Sequence, residues 1–242
     1  MSKPEIRALT FDTGGTILDW HSGFVAAFAA AGAKYDLKRD WAAIANELRR
    51  RSLKSMLNQG ATEPPAYTID DAHRTVLQEL LVEHGLSRQF SDEDVHAIAY
   101  DAPHGFTCWP DFPKVLPRLR RKYIVASFTI LSYRLIIDTA RNNGLSWDSV
   151  FACEGIGKYK LLPEAYRAVA KYLQLEPGAC CMVACHNFDL DAAKAVGFQT
   201  AFVRRPDEWG SAGPPDPTPN PAHDIIVDDF AELATRLGVG ER

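Results

Sequence analysis

From residue 110 onward the chain alternates short apolar runs with helical patterns, and this constrains the fold more than any other feature. The spacing predicts a helix over Lys114–Lys122, a strand over Tyr123–Thr129, and a helix over Leu135–Asn143 closed by Gly144. A strand at Ser149–Ala152, a helix at Glu164–Leu173, a strand at Cys181–Cys185 and a helix at Asp189–Val196 follow. Further strands are read at Thr200–Val203 and Asp224–Val227, with a Pro-rich loop at Gly210–Pro221 between them. Strands separated by helices cannot pair as hairpins, so the expected fold is α/β with a doubly wound, mainly parallel sheet.

One more strand is expected ahead of this block, at Ile6–Phe11. Between it and residue 110 the patterns are helical only. Phe24–Tyr35 and Trp41–Asn58 carry apolar residues at helical spacing, and Ile69–His84 repeats them with a 3.6 period ended by Gly85. Ser91-Asp92-Glu93-Asp94 reads as another helix start. Residues 60–67 form a Pro/Gly-bearing loop. The organisation expected is an α/β core made of residues 1–18 and 104–242, with an all-α cap of residues 19–103 inserted after the first strand.

The balance of the chain narrows its partners. Hydrophobic residues make up 46% of the 242 residues, enough for a sizeable core, and the formal charge is −4. No basic run marks a nucleic-acid surface, since Arg118, Arg120, Arg121 and Lys122 sit at one helix end where cations suit the dipole. No apolar run approaches a membrane span, and the first residues lack the apolar stretch of a signal peptide. Five cysteines without metal-like spacing, two of them adjacent, read as reduced thiols of a cytoplasmic protein.

In a doubly wound sheet, ligands bind beyond the carboxyl ends of the strands. The residues there are Asp12-Thr13-Gly14-Gly15-Thr16, Thr129, Lys158-Tyr159-Lys160, and His186 to Asp189. Asp12 in a glycine turn can be a nucleophile, a metal ligand or a helix cap. Thr129 could hold substrate or Asp12, with Ser127 and Ser132 as rivals. One of Lys158 and Lys160 can point inward and keep a carboxylate ionised. Asp189 also suits the first turn of a helix.

Taken in order, Asp12, Thr129, Lys160 and Asp189 resemble the four motifs of the haloacid dehalogenase superfamily. FDTGGTILDW, YKLLPEAY and VACHNFDL are similar to segments of its hydrolytic 2-haloacid dehalogenases. The resemblance implies a Rossmann-like core and the inserted helical cap. It implies Asp12 as nucleophile with Thr16 supporting it, Thr129 after the second strand, Lys160 as the motif lysine, and Asp189 with His186 as candidates to activate water. Gly14, Tyr166 and Asn187 are placed at the substrate, and ELRRRSLKSM aligns Arg49 as the cap arginine, with Arg50 and Arg51 adjoining. A homodimer is also implied.

The chain departs from that pattern at several positions. Gly14 stands where the superfamily's phosphatases carry an acid and many dehalogenases an aromatic residue, so a larger cavity is expected there. Ile130, Leu161, Ala184 and Cys185 also differ from the usual residues. A phosphatase needs an acid to protonate its leaving alkoxide and Mg²⁺ to offset phosphoryl charge, whereas a halide leaves as a stable anion. The expectation is therefore hydrolysis of 2-halo carboxylic acids through an Asp12 ester, with no metal or other cofactor. A hydrolase of another substrate class, including a Mg²⁺-dependent phosphatase, and a non-catalytic binding protein are the alternatives.

Overall fold

The computed structural model describes residues 3–63 and 67–240. The part of the expected loop at residues 64–66 lies outside them.

Six parallel strands form one sheet in the order β3-β2-β1-β4-β5-β6. They are β1 (Ala8–Phe11), β2 (Ile124–Thr129), β3 (Ser149–Ala152), β4 (Cys180–Ala184), β5 (Gln199–Val203) and β6 (Ile225–Val227). β1 and β4 are buried along their whole length, as expected for near-continuous apolar runs in a covered parallel sheet. β1 lies between β2 and β4, with Phe11 opposite both Ser127 and Val183. Asp12 is the next residue, and its backbone N–H still donates to Val183 O (2.9 Å). The strand order thus reverses beside Asp12, which is where a crevice opens in such sheets.

The helical stretch after β1 begins with α1 (Trp20–Ala33), α2 (Trp41–Met56), α3 (Ile69–Glu83) and α4 (Asp92–His96). α4 continues through a π-helical turn at Ala97–Asp101 into the short α5 (Ala102–His104). Their starts follow local chemistry. Asp19 and Asp40 accept from Ser22 N and Ala43 N, while Thr68 and Ser91 form capping boxes with Asp71 and Asp94. The remaining helices flank the sheet: α6 (Phe112–Leu119), α7 (Tyr133–Asn143), α8 (Cys153–Ile156), α9 (Pro163–Tyr172), α10 (Asn187–Ala195) and α11 (Phe230–Arg236). Gly144 closes α7 at φ 64°, a left-handed turn that suits glycine. Sequence periodicity did not mark α8 and α11, which are only 4 and 7 residues long.

Phe11, Phe112 and Phe230 pack ring against ring beneath β1, with centroids 4.7–6.0 Å apart. This fixes the strand whose end carries Asp12. A second link reaches over from the helical block. After α2, Asn58 N donates to Lys160 O (2.8 Å) and Tyr159 N donates to Gln59 O (2.9 Å). The helical block therefore braces the segment that carries the lysine.

Candidate active site

Asp12 is 7% exposed and three groups surround its carboxylate. Thr16 Oγ1 donates to Oδ2 (2.7 Å), Lys160 Nζ donates to Oδ1 (2.9 Å), and His186 Nδ1 lies 3.3 Å from Oδ2. Burial alone would raise the Asp12 pKa, but the Lys160 ammonium and His186 outweigh it and hold the carboxyl well below its usual range. Lys160 is sealed at 2% exposure, over the Phe128 ring, and also donates to Asp189 Oδ2 (2.6 Å). Burial would strip its charge, and the two carboxylates keep it protonated. Lys158 points elsewhere, donating to Gly60 O.

Tyr166 and Asp189 complete the support. The Tyr166 hydroxyl donates to Asp189 Oδ1 (2.7 Å), so both oxygens of Asp189 are engaged. Burial pushes the Asp189 pKa up, Lys160 opposes that, and the Asp12 charge adds to the rise. Tyr166 is fully buried and touches Asp189 from behind. It positions the acid and does not line the pocket.

His186 sits between two carboxylates. Its Nε2 is 3.0 Å from Glu208 Oε1, and Glu208 is 1% exposed and accepts a further bond from Trp20 Nε1 (3.0 Å). Burial would lower the His186 pKa, but the Cys185 sulfur and the Glu208 and Asp12 carboxylates raise it well above its ordinary value. Burial itself pushes the Cys185 thiol up and keeps it neutral, so the two carboxylates carry the effect. Glu208 escaped the sequence reading because it stands beside Asp207 in a loop that carries no motif. It lies just past the end of β5, so the rule applied to the other strand ends points to it too.

The arginine of the helical block is Arg49. It is 3% exposed, lies over the Trp20 ring and donates from Nη2 to Gly14 O (3.0 Å). Arg51 instead pairs with Glu47 and Glu83, and Arg50 reaches Glu47 from the surface. This corrects the larger cavity expected at Gly14. A Cβ there would lie 3.1 Å from Arg49 Nη2, so the guanidinium fills the space the missing side chain leaves. Asp12, Gly14, Arg49, Lys160, His186 and Asp189 enclose a pocket closed off by Leu53, Leu57, Ile130 and Phe188. Only ≈ 10 Å³ of it can hold the centre of a water molecule, about the room one water needs. A wider groove of ≈ 750 Å³ between α2 and α3 is lined by Arg50, Arg51, Lys54 and Tyr67. It holds neither Asp12 nor Lys160, so the chemistry locates the site at the strand ends.

Two expected site residues have other partners. The Thr129 hydroxyl accepts from Thr13 Oγ1 (2.7 Å) and Leu131 N (3.1 Å), so it fastens the turn after Asp12 without touching the carboxylate. Asn187 was expected at the substrate. Its side chain instead donates to Asp216 and Thr218 O, accepts from Asn220 N, and lies 3.0 Å from His223 Nε2. As the first residue of α10 it turns toward the Pro-rich loop, while neighbouring His186 turns toward Asp12. Ser132 caps α7 and donates to Asp70, and the Ser127 hydroxyl is buried without a partner.

The donors suit Mg²⁺ poorly. Both Asp12 oxygens and the Gly14 carbonyl are engaged by cations or hydroxyl, and the side chain at 185 is a thiol where a hard cation favours oxygen.

The sequence profile of the haloacid dehalogenase-like hydrolases matches residues 6–197, which include every strand end described above but that of β5 and the close of β6. The chain belongs to the haloacid dehalogenase-like hydrolases. Among solved structures it is similar to the defluorinating L-2-haloacid dehalogenase Rha0230, with 33% identity, TM-score 0.89, and 98% of this chain and 99% of that one covered. The L-2-haloacid dehalogenase PA0810 is similar at 29% identity and TM-score 0.87, covering 97% and 100%. The L-2-haloacid dehalogenase of Xanthobacter autotrophicus with chloropropionic acid covalently bound shares the fold, at 21% identity and TM-score 0.77, covering 96% and 98%. No curated protein sequence matches the chain. No helix among the described residues is long and apolar enough to cross a membrane.

Proposed function

We propose that this hydrolase displaces halide from 2-halo carboxylic acids through a covalent Asp12 ester. The observation that carries the reading is Asp12 held ionised beside Lys160, with the Arg49 guanidinium against Gly14. The nucleophile thus faces a cation where the superfamily's phosphatases place an acid. The similarity to two L-2-haloacid dehalogenases over nearly the whole chain supports it.

In this reading an Asp12 carboxylate oxygen attacks the halogen-bearing carbon with a lone pair that its hydrogen-bond partners do not use. The C–O bond forms as the carbon–halogen bond breaks, and halide leaves with the bonding pair. Arg49 neutralises the substrate carboxylate or the departing halide, which needs no proton. Esterification removes the Asp12 charge, and with it one of the two carboxylates that keep His186 protonated. His186 then releases its Nδ1 proton to solvent, and Glu208 holds Nε2. The freed Nδ1 takes a proton from water as the water oxygen attacks the ester carbonyl. The intermediate collapses as Nδ1 returns that proton to the leaving alkoxide, which departs as the 2-hydroxy acid, and the Asp12 carboxyl then passes its own proton to His186, which restores both groups. Asp189, with both oxygens engaged, acts by holding Lys160. Splitting the displacement into two steps is covalent catalysis, and general-base help is worth about 10²–10⁴-fold.

We read residues 19–103 as a cap whose movement admits substrate to a pocket this small, and the volume favours short acids. A homodimer is proposed on the resemblance, and light scattering decides it. The functional test is halide release from 2-chloro, 2-bromo and 2-fluoro acids in EDTA, comparing wild type with Asp12→Asn. Release that survives EDTA and vanishes in the variant supports the reading. No release, with phosphate freed from esters in Mg²⁺, replaces it with phosphatase chemistry.

A further inference from the structure

Cys185, His186 and Glu208 form a group that the hydrolytic cycle only partly uses. Cys185 Sγ lies 3.4 Å from His186 Nε2 and 3.6 Å from Glu208 Oε2, and His186 Nε2 lies 3.0 Å from Glu208 Oε1. Their ligand atoms all fall within 4.8 Å of one another. Tetrahedral zinc, with bonds of about 2.0–2.3 Å to oxygen, nitrogen and sulfur, requires ligand atoms about 3.3–3.6 Å apart. Cys185 and His186 meet that spacing, and Glu208 approaches it with a different oxygen toward each of them.

We propose that Cys185, His186 and Glu208 bind a zinc-class divalent ion, and that its occupancy blocks the hydrolytic step. The donor set argues for the metal's identity. Thiolate and imidazole favour zinc over magnesium, and three protein ligands leave a fourth position for water. Charge argues the same way. The ion replaces the Cys185 thiol proton and the His186 Nε2 proton, so a 2+ ion meets one thiolate, one carboxylate and a neutral imidazole. That sums to zero in a buried site. His186 Nδ1 still faces Asp12 Oδ2, 3.3 Å away. Cys185 also lines a ≈ 250 Å³ cavity apart from the substrate pocket, with Phe202, Arg205, Pro206 and Asp216.

The inhibitory consequence rests on the dehalogenase reading, while binding does not. With the ion on Nε2 and a hydrogen on Nδ1, the His186 ring has no lone pair left to accept a proton from water, and the Asp12 ester persists.

The test titrates metal-stripped full-length protein with Co²⁺ and then Zn²⁺, without substrate. One Co²⁺ per chain with a near-ultraviolet thiolate-to-cobalt band, displaced by Zn²⁺, is expected. Cys185→Ser abolishes the band and weakens zinc binding more than about tenfold, while Cys108→Ser, at the half-buried thiol, keeps it. Circular dichroism checks that Cys185→Ser is folded, and Cys185→Ala replaces it otherwise. No band in wild type, or a band that survives loss of Cys185, overturns the site. Where halide release is measurable, Zn²⁺ is expected to abolish it in wild type and spare it in Cys185→Ser. Undiminished turnover at saturating Zn²⁺ overturns the inhibitory role. Metal binding without any halide release upholds the site and rejects the dehalogenase reading.

Discussion

Lys160 Nζ lies 2.9 Å from Asp12 Oδ1, and the two side chains are 2% and 10% exposed. This ion pair fixes the charge state of the nucleophile and ties the end of β1 to the segment before α9. Its worth lies in what its loss would leave behind. Removing one partner of a buried pair exposes the other's desolvation cost, about 3–5 kcal/mol.

Lys160→Met is therefore expected to lose activity and several kcal/mol of stability at neutral pH, because Asp189 then has no cation and Asp12 keeps only His186. The folded pKa of Asp189 rises further above the unfolded one, so the deficit shrinks as pH falls and a proton is taken up. Denaturant midpoints at pH about 5 and 8 check this. An equal deficit at both values would place the loss in packing.

His186→Asn is expected to leave ester formation intact and slow its hydrolysis by about 10²–10⁴-fold. The alkylated protein then accumulates, and intact-mass spectrometry during turnover detects the adduct. Glu208→Gln keeps the Trp20 bond and is expected to give a smaller effect in the same direction.

The pH dependence of stability follows from two opposite shifts. Asp12 has a depressed folded pKa, so its contribution is present above the unfolded value of about 3.9 and lost as pH falls through the folded one. His186 has a raised folded pKa, so its contribution is complete below about 6.5 and lost as pH rises through the folded value. Melting temperatures of wild type are expected to decline on the alkaline side. His186→Asn is expected to flatten that limb.

The two glycines after Asp12 are expected to respond differently. Gly14→Ala meets only the movable end of Arg49, so the protein folds with raised KM. Gly15 has φ 96°, and a Cβ there would lie 2.0 Å from Glu208 Oε1. Gly15→Ala is expected to cost about 1–2 kcal/mol and to displace the partner of His186. Melting temperature and kcat, measured on both variants, separate them.

Asn187→Ala is expected to lower the melting temperature with KM unchanged, since its side chain ties α10 to the loop at 216–223. A raised KM at unchanged stability would return Asn187 to the substrate.

The strand ends were legible because β1, β2 and β4 are short apolar runs broken by glycine, serine or a polar side chain. Asp12, Lys160 and Asp189 then follow from topology. Local pattern carries no information about partners far along the chain. Arg49 filling the space at Gly14 joins residues 35 positions apart, and Glu208 reaching His186 joins residues 22 apart. Neighbouring His186 and Asn187 are alike in polarity, and only the start of α10 sends one to Asp12 and the other to the loop.

The most direct test of the Asp12 ester is a single turnover of 2-chloro acid in ¹⁸O-water with enzyme in excess. The account predicts ¹⁸O in the peptide that carries Asp12, and a hydroxy acid whose new oxygen is unlabelled because it came from the carboxylate. Label in the product with none in Asp12 would mean that water attacks the substrate directly, and the covalent mechanism would be wrong.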